Sequence, residues 1–297
     1  MTACEHKHSV AAFSQAFIIA TLANGGFVIL QIVYAYLTNS TSLFADAIHN
    51  LGDVLGLVMA WVASRLIQRN PTATTTYGMK KTSILAAFAN GTLLIFSCGI
   101  IVTSAIYKLF APEPIQALSV IVVAIIGIII NSSTAAMFWR GQQDLNIRAA
   151  YIHLLYDALI SVGVVLAAML LYFTGWLWID PVMSLIIAIM IIKGTWALFS
   201  SSFNLLIDAV PQEISLTQVI DLFKQEPGVR QIHDLHIWAL STQENALSVH
   251  LWMPDVILTD DARCRLLHKL RQEYNINHTT IQVERDLQYC DATCSLK

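Results

Sequence analysis

Six long apolar stretches alternate with short polar ones along most of the chain, and then the pattern stops. The stretches cover residues 13–37, 41–66, 82–109, 116–138, 148–173 and 178–204. A helix needs about 20 predominantly apolar residues to cross a hydrocarbon core, so each stretch predicts a transmembrane helix. The connections "TNSTS", "RNPTATTTYG", "APEPIQ", "RGQQDLN" and "TGWLWID" are short and rich in turn formers. Past residue 206 nothing is long enough to span. "QEISLTQVIDLFKQEPG" has helical periodicity and stops at Pro-Gly. "VRQIHDLHIWAL" and "NALSVHLWMP" are β-rich runs joined by "STQE", the pattern of a hairpin. "TDDARCRLLHKLRQEY" predicts a second helix and "HTTIQVERD" a third strand. The order α-β-β-α-β predicts a small two-layer sandwich. The expected fold is a multi-pass α-helical membrane protein of six transmembrane helices with a C-terminal cytosolic α+β domain. The expected division is a transmembrane domain over 1–206, with a short cytosolic N-terminus, and a cytosolic domain over 207–297.

Composition agrees with this reading. The chain of 297 residues is 56% hydrophobic and 12% charged, with a mean hydropathy of +0.61; soluble chains average roughly 25% charged residues. Residues 1–206 hold 9 Lys+Arg and 7 Asp+Glu, and residues 207–297 hold 8 and 13. The net charge of −3 and the lack of a basic run argue against a nucleic-acid partner. The N-terminus lacks the basic start and cleavage site of a signal peptide. Five cysteines, an odd number without a regular framework, argue against a disulfide scaffold and leave thiol ligands available. Arg65, Arg69, Lys80 and Lys81 bracket the second connection, and Arg140 and Arg148 the fourth. By the positive-inside rule these connections are cytosolic, which puts both termini in the cytosol.

Against this apolar background, the second stretch carries Asp46, His49 and Asp53 in "FADAIHNLGD", and the fifth carries His153 and Asp157 in "YIHLLYDALISVG". Each histidine precedes its aspartate by four residues, so each pair shares a helix face. At 1.5 Å per residue, both pairs fall near mid-membrane, roughly 12–18 Å from the outer end of one helix and 8–14 Å from the inner end of the other. Intramembrane ionisable residues are functional candidates by default, and a repeated spacing strengthens the case. Two imidazoles and two carboxylates make a tetrahedral N2O2 set that suits zinc better than magnesium or calcium. Protons compete for imidazole near neutral pH, which is what an exchanger of metal for protons needs. Asp46 is expected to be structural or a proton relay, because four ligands are already present. Asp180, beside Pro181, is expected to cap or orient the sixth helix, Asn50 and Asn131 to bond between helices, and Cys98 to pack.

With "FADAIHNLGD", "YIHLLYDALISVG" and "HDLHIW" in view, the chain resembles the cation diffusion facilitator family of metal transporters, in its zinc-transporting branch. The resemblance covers nearly the whole length. It implies a metallochaperone-like cytosolic domain, a homodimer, and zinc/proton antiport that moves Zn2+ out of the cytosol through His49, Asp53, His153 and Asp157. The implied location is the plasma membrane, the inner membrane in a bacterium. There are departures from the family pattern. "RGQQDLNIR" lacks the histidine-rich loop many members carry, and "RNPTATTTYGMKK" lacks the His and Asp of a second site found in some. Tyr156 and Ile160 stand where small residues are usual, which bears on how closely the fifth helix packs. By position, the resemblance also matches His233, His250, Glu284, Cys290 and Cys294 to a cytosolic zinc site, with His278 matching another ligand. "CEHKH" (Cys4, His6, His8) resembles a segment that the partner subunit supplies. Zinc there is expected to be regulatory or stabilising. His236 and Trp238 are read as core strand residues and His268 as a solvated helix residue. The alternatives are an intramembrane zinc enzyme or a membrane-bound zinc sensor. The His-Glu-x-x-His signature of metalloproteases is absent, and six spans with ligands at mid-depth exceed what a sensor requires.

Overall fold

The computed structural model describes residues 5–139 and 145–286. Six long helices come first: α1 (Glu5–Thr38), α2 (Thr41–Ile67), α3 (Thr82–Phe110), α4 (Ala117–Met137), α5 (Leu145–Thr174) and α6 (Ile179–Leu206). Each contains a span apolar and long enough to cross a membrane; in α1 it is Ile19–Thr38. Their bounds follow the hydropathy pattern closely except at the start of α1, which lies eight residues before the expected apolar stretch. Then come α7 (Leu216–Lys224), β1 (Gln231–Ala239), β2 (Asn245–Trp252), α8 (Asp260–Tyr274) and β3 (Ile276–Glu284), in the expected order.

By its contacts the chain divides into two compact units, residues 1–58 with 90–196 and residues 59–89 with 197–297. The first unit holds α1, α4, α5 and parts of α2, α3 and α6. Its core includes Phe27, Leu43, Cys98, Ile101, Val123, Ile160 and Ile187, so Cys98 packs as expected. Ile160 is part of this core, whereas Tyr156 lies on the outer surface. Large apolar side chains such as Leu22, Phe96, Ile129 and Leu166 also point outward. A helix in lipid has apolar surroundings on both sides, so close approach of small residues takes over from burial as the packing device. Gly52 and Gly56 supply it. A Cβ at Gly52 would collide with Leu94, and one at Gly56 would lie 2.8 Å from Asn90 Nδ2.

Asp180 does something other than what its position suggests. It sits in the first turn of α6, but its buried carboxylate caps α2. Asp180 accepts hydrogen bonds from Thr41 N (2.7 Å), Thr41 Oγ1 (2.7 Å), Ser42 N (3.2 Å) and Ser40 Oγ (2.6 Å). Ser40 Oγ itself accepts from Leu43 N at 3.2 Å. The first N–H groups of a helix have no intrahelical acceptor and favour a negative charge, and "NSTS" delivers them to Asp180 together with its hydroxyls. The rotation of the helix that carries Asp46, His49 and Asp53 therefore starts from a fixed point.

In the second unit the sheet runs β1-β2-β3, with β1 antiparallel and β3 parallel to β2. Helices α7 and α8 contribute Val219, Phe223, Leu266 and Leu270 to a core with Leu247, Val249 and Leu251 of β2. Thr259 caps α8 by accepting from Ala262 N, and Asn275 ends it in the left-handed conformation. The α2–α3 connection belongs to this unit. Lys80 pairs with Glu244, Lys81 Nζ lies 2.6 Å from Asp208 Oδ1, and Thr242 N donates to Ser83 Oγ at 3.1 Å.

Candidate metal centre

Within the first unit, α2 and α5 bring the two His-x-x-x-Asp pairs together. Along each helix, His49 Nδ1 lies 3.8 Å from Asp53 Oδ2 and His153 Nε2 lies 3.7 Å from Asp157 Oδ2. Between the helices, His49 Nε2 is 3.3 Å from Asp157 Oδ1 and His153 Nε2 is 3.3 Å from Asp53 Oδ2. The imidazole rings meet edge to face, 6.2 Å apart. Each carboxylate is thus shared by a histidine of its own helix and one of the other. His49 Nδ1, Asp53 Oδ2 and Asp157 Oδ1 are buried without a well-formed hydrogen bond among the described residues. Their partners are electrostatic: Asp53 Oδ2 and Asp157 Oδ1 each keep an imidazole nitrogen at 3.3 Å, and His49 Nδ1 stands 3.8 Å from Asp53 Oδ2.

The cluster is reached through a cavity of about 390 Å³ lined by Thr21, Asn24, Asn50, Asn90 and Phe138 together with Asp53, His153 and Asp157. Thr21 and Asn24 lie in the first half of the apolar span of α1 (Ile19–Thr38), Phe138 just past α4, and His153 early in α5. The cavity therefore extends from the cluster toward the end of the unit where α1 and α5 begin. His153, with 47% of its side chain exposed, is the most open of the four, and Asp157, with 5%, the most enclosed.

Asp46 is fully buried one turn away. Its Oδ2 accepts from Gln31 Nε2 at 2.7 Å and from Ser161 Oγ at 3.3 Å. Asn50 Nδ2 donates to Gln31 Oε1 at 2.9 Å, so Asn50 does bond between helices, from α2 to α1. Asn131 is buried in α4, with its Nδ2 unmatched among the described residues. Gln31 is not legible in the sequence, because one polar residue in "VILQIVY" carries no spacing signal.

A second cluster lies on the sheet. Glu284 holds two histidines, with Oε2 3.0 Å from His233 Nε2 and Oε1 3.0 Å from His250 Nδ1. His233 and His250 face each other across the β1–β2 pairing, their rings 5.3 Å apart. Asp234, also missed in the sequence, reaches His250 Nε2 at 3.5 Å and His236 Nε2 at 2.8 Å. A β-bulge between His233 and His236, with Asp234 at φ +51°, disturbs the alternation of β1. This corrects two expectations. His236 is exposed and Trp238 only half-buried, so neither is a core residue. The structure also separates His278 from the cluster. It pairs opposite Ala246, at the other end of β3 from Glu284, and packs against Tyr77 with ring centres 5.2 Å apart. His268 is exposed on α8, as expected. Cys4, Cys290 and Cys294 lie outside the described residues, as do the side chains of His6 and His8.

Comparison with known proteins names the class. Residues 17–207 match the cation efflux transmembrane domain, and residues 211–286 match the cation efflux protein cytoplasmic domain. The chain belongs to the cation efflux, or cation diffusion facilitator, family, whose members are transporters rather than enzymes. The relatives it resembles include a cadmium, cobalt and zinc/H(+)-K(+) antiporter of Bacillus subtilis, 33% identical over 95% of this chain and 92% of the relative. The metal cation efflux system protein CzcD of Cupriavidus metallidurans is 35% identical over 90% of this chain and 85% of its own length. The zinc transporter ZitB of Pectobacterium atrosepticum is 32% identical over 96% and 89%. The protein is accordingly a multi-pass membrane protein of a metal-efflux family.

Proposed function

We propose that this chain is a zinc/proton antiporter that moves Zn2+ out of the cytosol through His49, Asp53, His153 and Asp157. The observation that carries the reading is that one ligand atom each of His49, Asp53 and Asp157 lies within 4.8 Å of the others, with His153 Nε2 3.3 Å from Asp53 Oδ2. Zinc bonds to imidazole nitrogen and carboxylate oxygen are about 2.0–2.1 Å, so tetrahedral ligands stand about 3.4 Å apart. Two neutral imidazoles and two carboxylates carry a formal charge of −2, which cancels that of the ion in a place of low dielectric. The role of the cavity follows from the positive-inside bias, which makes the end where α1 and α5 begin cytosolic. The ion then enters from the cytosol past Asn24, Asn90 and His153. Protons arriving from the other side compete for the imidazoles and release it.

The wider reading has a transmembrane domain over 1–206 and a cytosolic domain over 207–297. The protein works as a homodimer in the plasma membrane, the inner membrane of a bacterium, with both termini in the cytosol. His233, His250, Glu284, Cys290 and Cys294 hold a regulatory or stabilising zinc, joined by Cys4, His6 or His8 of a second copy. Asp46 serves the transport site as a structural group or proton relay. Zinc uptake into proteoliposomes tests the core of the proposal. Wild-type protein is expected to transport, and Asp157→Ala to fold but not transport; equal uptake by the two would remove the site.

A further inference from the structure

The amide of Gln31 grips α2 at two points one turn apart. Its Nε2 donates to Asp46 Oδ2 at 2.7 Å and its Oε1 accepts from Asn50 Nδ2 at 2.9 Å. Gln31 and Asp46 are fully buried and Asn50 nearly so. Asp46 as a carboxylate only accepts and the Asn50 amide nitrogen only donates, so the Gln31 amide has a single orientation that satisfies both. Ser161 Oγ of α5 adds a 3.3 Å contact to Asp46 Oδ2, so α1, α2 and α5 meet at this point. Asp46 and Asn50 form one stripe of α2, and His49 and Asp53 form the next. Each member of the second stripe follows one of the first by three residues, a rotation of about 60° around the axis. Holding the first stripe against α1 therefore sets the direction in which the second faces α5.

We propose that Gln31 is a positioning residue for metal transport. It fixes the rotation of α2 so that His49 and Asp53 meet His153 and Asp157. The proposal rests on the reading of those four side chains as the transport ligands. Leu43, Ala45 and Ala47 of α2 are buried and Gly52 packs closely on Leu94 of α3, but these apolar contacts supply no directional bond. The Asp180 cap fixes only the outer end of α2. A clamp in the second and third turns of α2, beside the ligand stripe, keeps that stripe from turning, and a polar pair this deep in an apolar bundle is costly unless both halves are matched.

The test uses the full-length protein with Co2+ as the probe, together with zinc flux in proteoliposomes. Cobalt absorbs visible light strongly in a tetrahedral N/O field and weakly in an octahedral one. The Asp157→Ala spectrum, subtracted from each other spectrum, removes the contribution of the cytosolic cluster. Gln31→Met keeps the volume and loses both bonds. Gln31→Asn keeps the amide but is one methylene too short to reach both partners, and it serves if the methionine variant does not fold. Loss of a supporting partner typically weakens metal binding about 10- to 100-fold. Either variant is expected to raise the KM for zinc by at least about tenfold and to weaken the tetrahedral cobalt bands. A purely structural role would instead lower the melting temperature and leave KM and spectrum alone, and that result overturns the proposal. A wild-type spectrum identical to that of Asp157→Ala would overturn the ligand assignment itself, a separate failure.

Discussion

His49 Nε2 of α2 lies 3.3 Å from Asp157 Oδ1 of α5, and this contact joins two motifs that the chain keeps far apart. Residues that act as one unit do not lose function additively. Removing either partner from a desolvated pair typically costs about 3–5 kcal/mol. His49→Ala and Asp157→Ala are each expected to weaken zinc binding by at least about a hundredfold. The double variant is expected to be little worse than either single one. A double-mutant cycle by zinc titration of the purified protein checks this, and losses that simply multiply would mean the two residues do not share an ion.

Replacing His49 by Asp exchanges a nitrogen ligand for a second oxygen on α2. Oxygen-rich sites favour harder metals. The variant is expected to lose discrimination against manganese and to transport it at a measurable rate. Competition of manganese with zinc in the flux assay is the readout, and unchanged selectivity would count against His49 as a ligand.

Asp180 leads to a prediction about stability. Its carboxylate satisfies the first N–H groups of α2 and gathers three neighbouring hydroxyl side chains around the same point. Loss of a helix cap costs about 0.5–2 kcal/mol, and here the freed donors are buried as well. Asp180→Ala is expected to lower the thermal midpoint in detergent clearly. Asp180→Asn, which keeps the accepting oxygen, should lower it less. Equal midpoints for Asp180→Ala and wild type would contradict the capping role.

How much of this could be read in advance differs by kind of feature. The six helices follow from runs of apolar residues, a local property that lipid enforces. The His-x-x-x-Asp pairs are legible because one helix turn fixes their geometry and because the spacing occurs twice. Gln31 and the cap formed by Asp180 were not legible as such. Both act on a different helix, and a single sequence does not say which helices touch. In the sequence Asp180 is an acid beside Pro181 at a helix start, which points to its own helix rather than to α2. His236 and His278 failed for other reasons. The bulge at Asp234 disturbs the two-residue period from which a core position is inferred, and His278 sits at the end of β3 opposite Glu284, so nearness in sequence did not become nearness in space.

The cytosolic cluster carries its own expectation. If His233, His250 and Glu284 hold zinc as proposed, binding would stabilise the folded state by mass action, about 2.7 kcal/mol at one hundred times its Kd. Zinc is expected to raise the melting temperature of the full-length protein, and His233→Ala with His250→Ala to remove most of that rise. Some transport should remain, because these residues lie outside the membrane-spanning helices. Complete loss of flux in the double variant would show that the cluster does more than regulate.

The most direct test of the account is zinc uptake by proteoliposomes, with the cytosolic face outward, measured with and without an inside-acidic pH gradient. Protons and zinc compete for the same imidazole nitrogens, so acid on the release side favours freeing the ion, whereas alkali on the entry side keeps the ligands open to zinc. The account predicts that an inside-acidic gradient accelerates zinc uptake, that zinc entry consumes the gradient, and that Asp53→Ala and Asp157→Ala do neither. Zinc uptake that proceeds at one rate whatever the gradient, or that survives in those variants, would contradict it.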